Sequence, residues 1–399
     1  MVTQDQDLCK EKILQAAQIM HEEEIDLWLT LTRETAEHAD PVHPFIIDSH
    51  VVWESAFLIH KSGKTIAIVG SLDAASIRNR GLYSDVHGYD QDIAPVLLTA
   101  ISELDPKTIA INYSQSNNTA DGLTLGLYLS LTKDYLKNTV YVERLTSAEN
   151  LIAKLRGRKT NEEIRRIKTA IRETEDILRK VCGSLRIGCT EREVFEAIRR
   201  ELVSRGHGDA WSAEGNPGVD IGQGSHQGHG GPGNRVASPG DVLHVDFGAR
   251  VNGYSADLQR VWYFRDRGDT IPKDVKDAFT TVKDAIEAAA GILKPGVEGW
   301  VVDKAARDVL TSRGYPEFNH ALGHQLGRMA HDGGSLLGPR WPRYGNRPYG
   351  VVEEGNVFTL ELGIYTSRGY VSLEDDVVVT SSGCEFLSNP QDEIWLIGS

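Results

Sequence analysis

Four carboxylates occupy matching places in two distant stretches of the chain. Asp246 lies inside the apolar run "GDVLHVDFG" (240–248), and Asp257 follows a Gly-Tyr turn in "NGYSAD". Glu361 lies inside "GNVFTLELG" (355–363), and Glu374 follows a second Gly-Tyr turn in "RGYVSLE". Acids are poor strand residues, and a buried carboxylate without a partner is costly or shifts its pKa. One acid in such a run reads as a bulge or an edge residue; two pairs in the same pattern point to a shared purpose. Converging in one sheet, they would repel strongly unless cations neutralised them. Two divalent ions would balance four negative charges. An oxygen-rich donor set favours Mn²⁺ and accommodates Zn²⁺ or Co²⁺ where a nitrogen joins. Nitrogen is at hand, since "NHALGHQLGRMAHDGG" carries His320, His324 and His331 between the two acid pairs. His229, in the glycine-rich "SHQGHGGPGN", is a further candidate, whereas His226 beside it reads as an ordinary loop residue. Two cations bridged by carboxylates suit hydrolysis, because they acidify water and polarise the carbonyl under attack.

The elements that must position these groups follow from the repeat. Residues 183–206 and 291–314 have equal length and one plan: a glycine-bounded turn, then an amphipathic helix ending in Ser-Arg-Gly. Glycine there can take the left-handed conformation that closes a helix. Each copy leads toward one of the acid-bearing strands. Upstream, Thr160 and Glu163 form a capping-box pattern at the head of a long charged helix, which places a domain boundary near residue 157. Residues 1–156 alternate helix and strand signals, including a helix over 8–23, a strand over 25–31 and a hairpin around Ser62-Gly63. Further along, 121–135 reads as a helix and 138–144 as a strand. This order predicts an α/β domain with a mixed sheet, and without a glycine-rich phosphate fingerprint it is assigned no cofactor.

Bulk properties narrow the partners. A net charge of −14 argues against nucleic acid, which demands a basic face. The four cysteines are scattered without framework spacing, which suits a reducing compartment. No apolar run approaches membrane-spanning length, and the first residues lack an apolar signal segment. The expectation is a cytoplasmic protein.

The motifs around the acids resemble those of the "pita-bread" metallopeptidases: methionine aminopeptidase, aminopeptidase P and prolidase. The resemblance covers essentially the whole chain. It implies an N-terminal mixed-sheet α/β (creatinase-like) domain over 1–156 and a catalytic pita-bread domain over 157–399. The latter would have a curved antiparallel sheet and an internal pseudo-twofold repeat. Residue by residue, it implies metal ligation by Asp246, Asp257, His324, Glu361 and Glu374, with Asp257 and Glu374 bridging. It assigns Glu361 the proton of the attacking water, a metal-bridging hydroxide. His331 would contact the substrate carbonyl region, His320 would line the specificity pocket, and His229, with Pro232 three residues on, would be a substrate-site and catalytic histidine. The implied activity is hydrolysis of Xaa-Pro bonds, above all in dipeptides, by a homodimer with two divalent ions, Mn²⁺ foremost. Longer peptides, as for aminopeptidase P, are the alternative; a creatinase-like or non-catalytic relative is another.

Three departures from the family pattern stand out. Leu362 replaces a proline, and Gln259 replaces a threonine that often supports the metal. Proline-directed members usually carry arginine two residues before the last glutamate, where this chain has Ser372. Arg340, Arg343 and Arg347 in "GPRWPRYGNRPYG", together with Arg368, are the candidates to read a substrate carboxylate in its place.

Overall fold

The computed structural model describes residues 4–224 and 231–398. The chain divides into two compact units, Met1–Arg156 and Gly157–Ser399. Among the described residues, no helix is long and apolar enough to cross a membrane.

The first unit is built on six strands: β1 (Leu27–Thr32), β2 (Ser55–His60), β3 (Thr65–Gly70), β4 (Asp85–Tyr89), β5 (Ile109–Ile111) and β6 (Leu145–Ser147). They pair in the order β4-β3-β2-β1-β5-β6. The β1–β2 and β2–β3 pairs are antiparallel and the others parallel, so the sheet is mixed. Leu27, Leu29 and Leu31 enter one core with Leu97 and Ile101 of the helix Ala94–Leu104. Trp28 enters the other, with Ile13 and Ile19 of the helix Gln4–Glu22. With a core on each face, every residue of β1 is buried, Thr30 and Thr32 included.

Two stretches depart from the sequence expectation. The run 138–144, expected as a strand, contains a 3₁₀ helix over Val140–Arg144, and the strand begins only at Leu145. A short apolar run fits either period, and Thr139 decides the outcome by accepting from Tyr141 N at 3.3 Å. The helix expected over 121–135 is α-helical only from Leu125 to Leu129, opening at Thr124, and continues as a π-helical stretch over Ser130–Tyr135.

The second unit contains β7 (Gly208–Asp209), β8 (Gly218–Ile221), β9 (Val242–Phe247), β10 (Ala249–Val251), β11 (Tyr254–Ser255) and β12 (Leu258–Phe264). Its later half adds β13 (Gly323–His324), β14 (Leu336–Leu337), β15 (Val357–Thr366), β16 (Gly369–Val379), β17 (Cys384–Phe386) and β18 (Trp395–Ile397). The main curled sheet runs β15-β16-β12-β9-β8, with β17 beside β16 and β18 beside β12. The two halves repeat one plan. The helix Glu191–Ser204 precedes the antiparallel β9–β12 pair, and the helix Gly299–Ser312 precedes the β15–β16 hairpin. Gly206 and Gly314 follow these helices with φ of 73° and 83°. The capping box at Thr160 forms as its sequence implies, with Thr160 Oγ1 accepting from Glu163 N at 3.3 Å and Glu163 Oε2 accepting from Thr160 N at 2.9 Å.

The pleat separates core from site. Phe358, Leu360, Leu362 and Ile364 of β15 pack with Val275, Phe279, Val282 and Ile286 of the helix Lys273–Ile292. Thr359, Glu361 and Gly363 therefore face the other way. Where β12 meets β16, the register is a single residue pair, Gln259 with Glu374. Arg260 reinforces that join: its guanidinium lies 2.8 Å from Asp375 Oδ1 and donates to the carbonyls of Glu374 at 2.6 Å and Asn389 at 2.9 Å. Both members of the pair are buried. Removing one partner of a buried ion pair costs about 3–5 kcal/mol. R260M is expected to destabilise the protein by that order in denaturant unfolding, and the double variant R260M/D375L to recover part of the loss.

Candidate metal centre

Strand register lines up Asp246, Gln259, Glu374 and Glu361 as one row across β9, β12, β16 and β15. Asp246 pairs with Gln259, Gln259 with Glu374, and Glu374 with Glu361. Neighbouring strands are only about 4.8 Å apart, so side chains on one row meet. Asp257 stands two residues before Gln259 and shares its face.

His324 reaches the row because its segment runs beside β15. Glu361 N donates to Leu322 O at 2.7 Å, and Leu326 N donates to Val357 O at 2.9 Å. That approach requires glycine at 323, where a Cβ would fall 1.9 Å from Thr359 O. His324 Nε2 consequently lies 3.6 Å from Glu361 Oε1 and 3.8 Å from Asp257 Oδ2. Asp257, His324 and Glu374 present ligand atoms all within 4.8 Å of one another. His324 Nδ1 faces Gln325 O at 3.4 Å, which suits a proton on Nδ1 and a lone pair on Nε2. Burial, then His331 and Arg347, push its pKa down to about 3, so the ring is neutral.

The acids behave oppositely. Burial, followed by Asp246, raises Glu361 to about 8, against which the Gln259 hydrogen bond acts. Burial and then Asp257, Glu361 and Asp246 raise Glu374. Asp257 is raised by burial and then by Asp246, Glu361 and Asp376. Among the described residues, no lysine or arginine forms an ion pair with Asp257, Glu361 or Glu374, and the buried Glu374 Oε1 has no hydrogen-bond partner. A buried oxygen-rich set with one imidazole and no cationic side chain fits a divalent cation.

The remaining candidates separate. His331 is exposed and meets His324 edge to face, with ring centroids 4.3 Å apart. His320 lines a cavity of about 200 Å³ with Phe318, Tyr365, Tyr370 and Gly363, the last two residues beyond Glu361. His229 and His226 lie outside the described residues. Of the arginines, Arg340 stacks on Trp300 at 4.1 Å and Arg343 on Trp341 at 4.7 Å. Arg368 sits exposed at the turn between β15 and β16. Only Arg347, half-buried and donating to Gly334 O at 3.3 Å, acts on the charge state of His324.

Three further residues join the site without having been singled out in the sequence. His244 lies between Asp220 Oδ2 at 3.0 Å and Gln259 Oε1 at 2.9 Å. Burial pulls its pKa down, but Asp220, with smaller help from Asp246 and Gln259, outweighs that and leaves it raised. Asp376 Oδ2 accepts from Asp257 N at 3.2 Å. The signal was the period of two: His244 precedes Asp246 by two residues, and Asp376 follows Glu374 by two.

Residues 165–381 match the model of Metallopeptidase family M24. The chain is 30% identical over 329 residues to YkvY of Bacillus subtilis (strain 168), covering 82% of this chain and 84% of that protein. It is 27% identical over 352 residues to the Xaa-Pro dipeptidase of Lactobacillus helveticus, covering 86% and 88%. Its fold is similar to the crystal structure of X-Pro aminopeptidase from Thermotoga maritima MSB8, with a TM-score of 0.71 and 26% identity over 96% of this chain and 99% of that one. A match across more than half of its length, including every acid of the row, makes the chain a member of metallopeptidase family M24.

Proposed function

We propose that the chain hydrolyses Xaa-Pro dipeptides with two divalent cations, Mn²⁺ foremost, held by Asp246, Asp257, His324, Glu361 and Glu374. The observation that carries this reading is the row of acids closed by the neutral His324 ring. Four negative charges call for +4, which two divalent ions supply. Bound there, such ions would acidify water and polarise a carbonyl.

The chain's own groups supply the rest. Glu361, the most solvent-accessible of the ligand carboxylates at Asp257, Glu361 and Glu374, is placed to take the proton of an attacking water. His331, edge-on to His324, is placed to donate to the oxygen on which negative charge develops. The aromatic cavity beside Gly363, with His320 on its wall, offers a surface for the proline ring. Arg347 is the cation placed to read a free C-terminal carboxylate, the feature that separates a dipeptide from a longer chain. The names of the relatives, one a dipeptidase and one an aminopeptidase, are consistent with either end of this choice. A homodimer in the cytoplasm belongs to the same reading through the family resemblance.

Two outcomes check it. With Mn²⁺, Ala-Pro should be cleaved in preference to Ala-Pro-Ala, and R347M should raise KM for Ala-Pro by about tenfold or more while changing the tripeptide little. Preference for the tripeptide in the wild-type protein would overturn the dipeptidase reading.

The second outcome concerns stability. Without metal, Glu361 in the folded protein holds its proton up to about pH 8, whereas an ordinary glutamate releases it near 4.5. Over that window the folded state binds more protons than the unfolded one, so metal-free stability falls as pH rises. Cations replace those protons. The melting temperature with EDTA should therefore drop between pH 5 and pH 8. The gap to the Mn²⁺-loaded protein should widen to about 5 °C or more. A gap that is absent, or constant with pH, would count against the carboxylate cage.

A further inference from the structure

Gln259 is the one uncharged member of the row, and its amide sorts the oxygens of its neighbours. Its Nε2 donates to Glu361 Oε2 at 2.9 Å and to Glu374 Oε2 at 2.8 Å. The remaining oxygens are left on the other side: Glu361 Oε1 faces His324 Nε2, and Glu374 Oε1 has no hydrogen-bond partner among the described residues. This arrangement holds only while the amide keeps its orientation. Turned over, Gln259 would point its carbonyl oxygen at two carboxylates.

Two groups face its carbonyl oxygen and oppose that turn. His244 Nε2 lies 2.9 Å from Gln259 Oε1, and the Ser372 hydroxyl lies 2.6 Å from the same oxygen and 2.9 Å from Leu362 O. The His244 ring is itself aligned by Asp220, whose Oδ2 lies 3.0 Å from Nδ1. Asp220, His244, Gln259 and Ser372 are all buried. Strand register explains the grouping: Asp220 pairs with His244 across β8 and β9, and Ser372 pairs with Gly363 rather than with another long side chain. A Cβ at 363 would meet the Tyr370 ring and Ser372 Cβ, so the strand pair is close-packed at this point.

We infer that Asp220, His244 and Ser372 are positioning residues that lock the Gln259 amide and, through it, present one oxygen each of Glu361 and Glu374 to the cations. Ser372 stands at the sequence position where the resembling proline-directed sequences carry arginine, and with Asp220 and His244 it reaches the glutamates through Gln259. The inference rests on the proposed metal centre and concerns its affinity.

Asparagine and glutamine divide the two roles of His244, since an asparagine amide stands near the ring's Nδ1 and a glutamine amide near its Nε2. Titration calorimetry with Mn²⁺ on metal-stripped full-length protein should show H244N weakened by about tenfold or more, as for other partners behind metal ligands. H244Q, which keeps a donor toward Gln259, should stay within about threefold of wild type, and S372A should fall between them. Melting temperatures of the metal-free variants report packing separately. If H244N, H244Q and S372A all bind Mn²⁺ like the wild type, whatever their melting temperatures, or if H244Q loses as much as H244N, the inference is overturned. A wild-type protein that fails to bind Mn²⁺ removes the metal centre itself, and this role with it.

Discussion

Like charges held together by strand register are the constraint around which the second unit is organised. Asp246, Glu374 and Glu361 stand on neighbouring strands in one row, with Asp257 on the same face. Each raises the proton affinity of the others, and burial adds to the cost of their ionisation. Among the described residues no lysine or arginine pairs with Asp257, Glu361 or Glu374: His324 is neutral, and Arg260, the buried guanidinium on β12, is committed to Asp375. The unit is therefore stable with this row in place only if something cationic, or protons, occupies it.

The surrounding architecture can be understood as what holds such a row against its own repulsion. Behind β15 and β16, the apolar side chains pack on the helix Lys273–Ile292 and fix the pleat so that the acids cannot rotate into the core. Beside the row, Gly323 lets the His324 segment bond directly to β15 and brings an imidazole to the acids. Across the sheet, the lone β12–β16 pair is secured by Arg260, whose donors take three carbonyls as well as a carboxylate. Within the row, Gln259 supplies the one neutral side chain, and its Nε2 donates to both glutamates.

Membership of family M24 sets the class of chemistry, and the walls around the row bear on selectivity. Of the four arginines considered for the role of the family residue at 372, Arg340 and Arg343 lie on tryptophan faces and Arg368 stands exposed at a turn. Arg347 alone remains electrically connected to His324. Position 372 itself is filled by a small hydroxyl that works on Gln259. In the function proposed for this chain, anchoring the substrate and supporting the ligands, two tasks one arginine could combine, would fall to different residues.

Much of this was legible beforehand because the signals are local. The two acid-bearing strands, their Gly-Tyr turns, the repeated helices ending at Gly206 and Gly314, and the Thr160 capping box all follow from patterns a few residues long. The same locality misled at 138–144, where a short apolar run fitted a strand but a threonine cap produced a 3₁₀ helix. By itself the sequence determined which residue types could gather cations, and in what order along the chain they come. Only the tertiary structure decided that Gln259 stands between the glutamates, that Asp220 and His244 brace it from behind, and that Arg347 rather than its neighbours acts on the charge of the histidine. Those relations join residues from 15 to 115 positions apart and depend on which strands pair in which register, and no local pattern encodes that pairing.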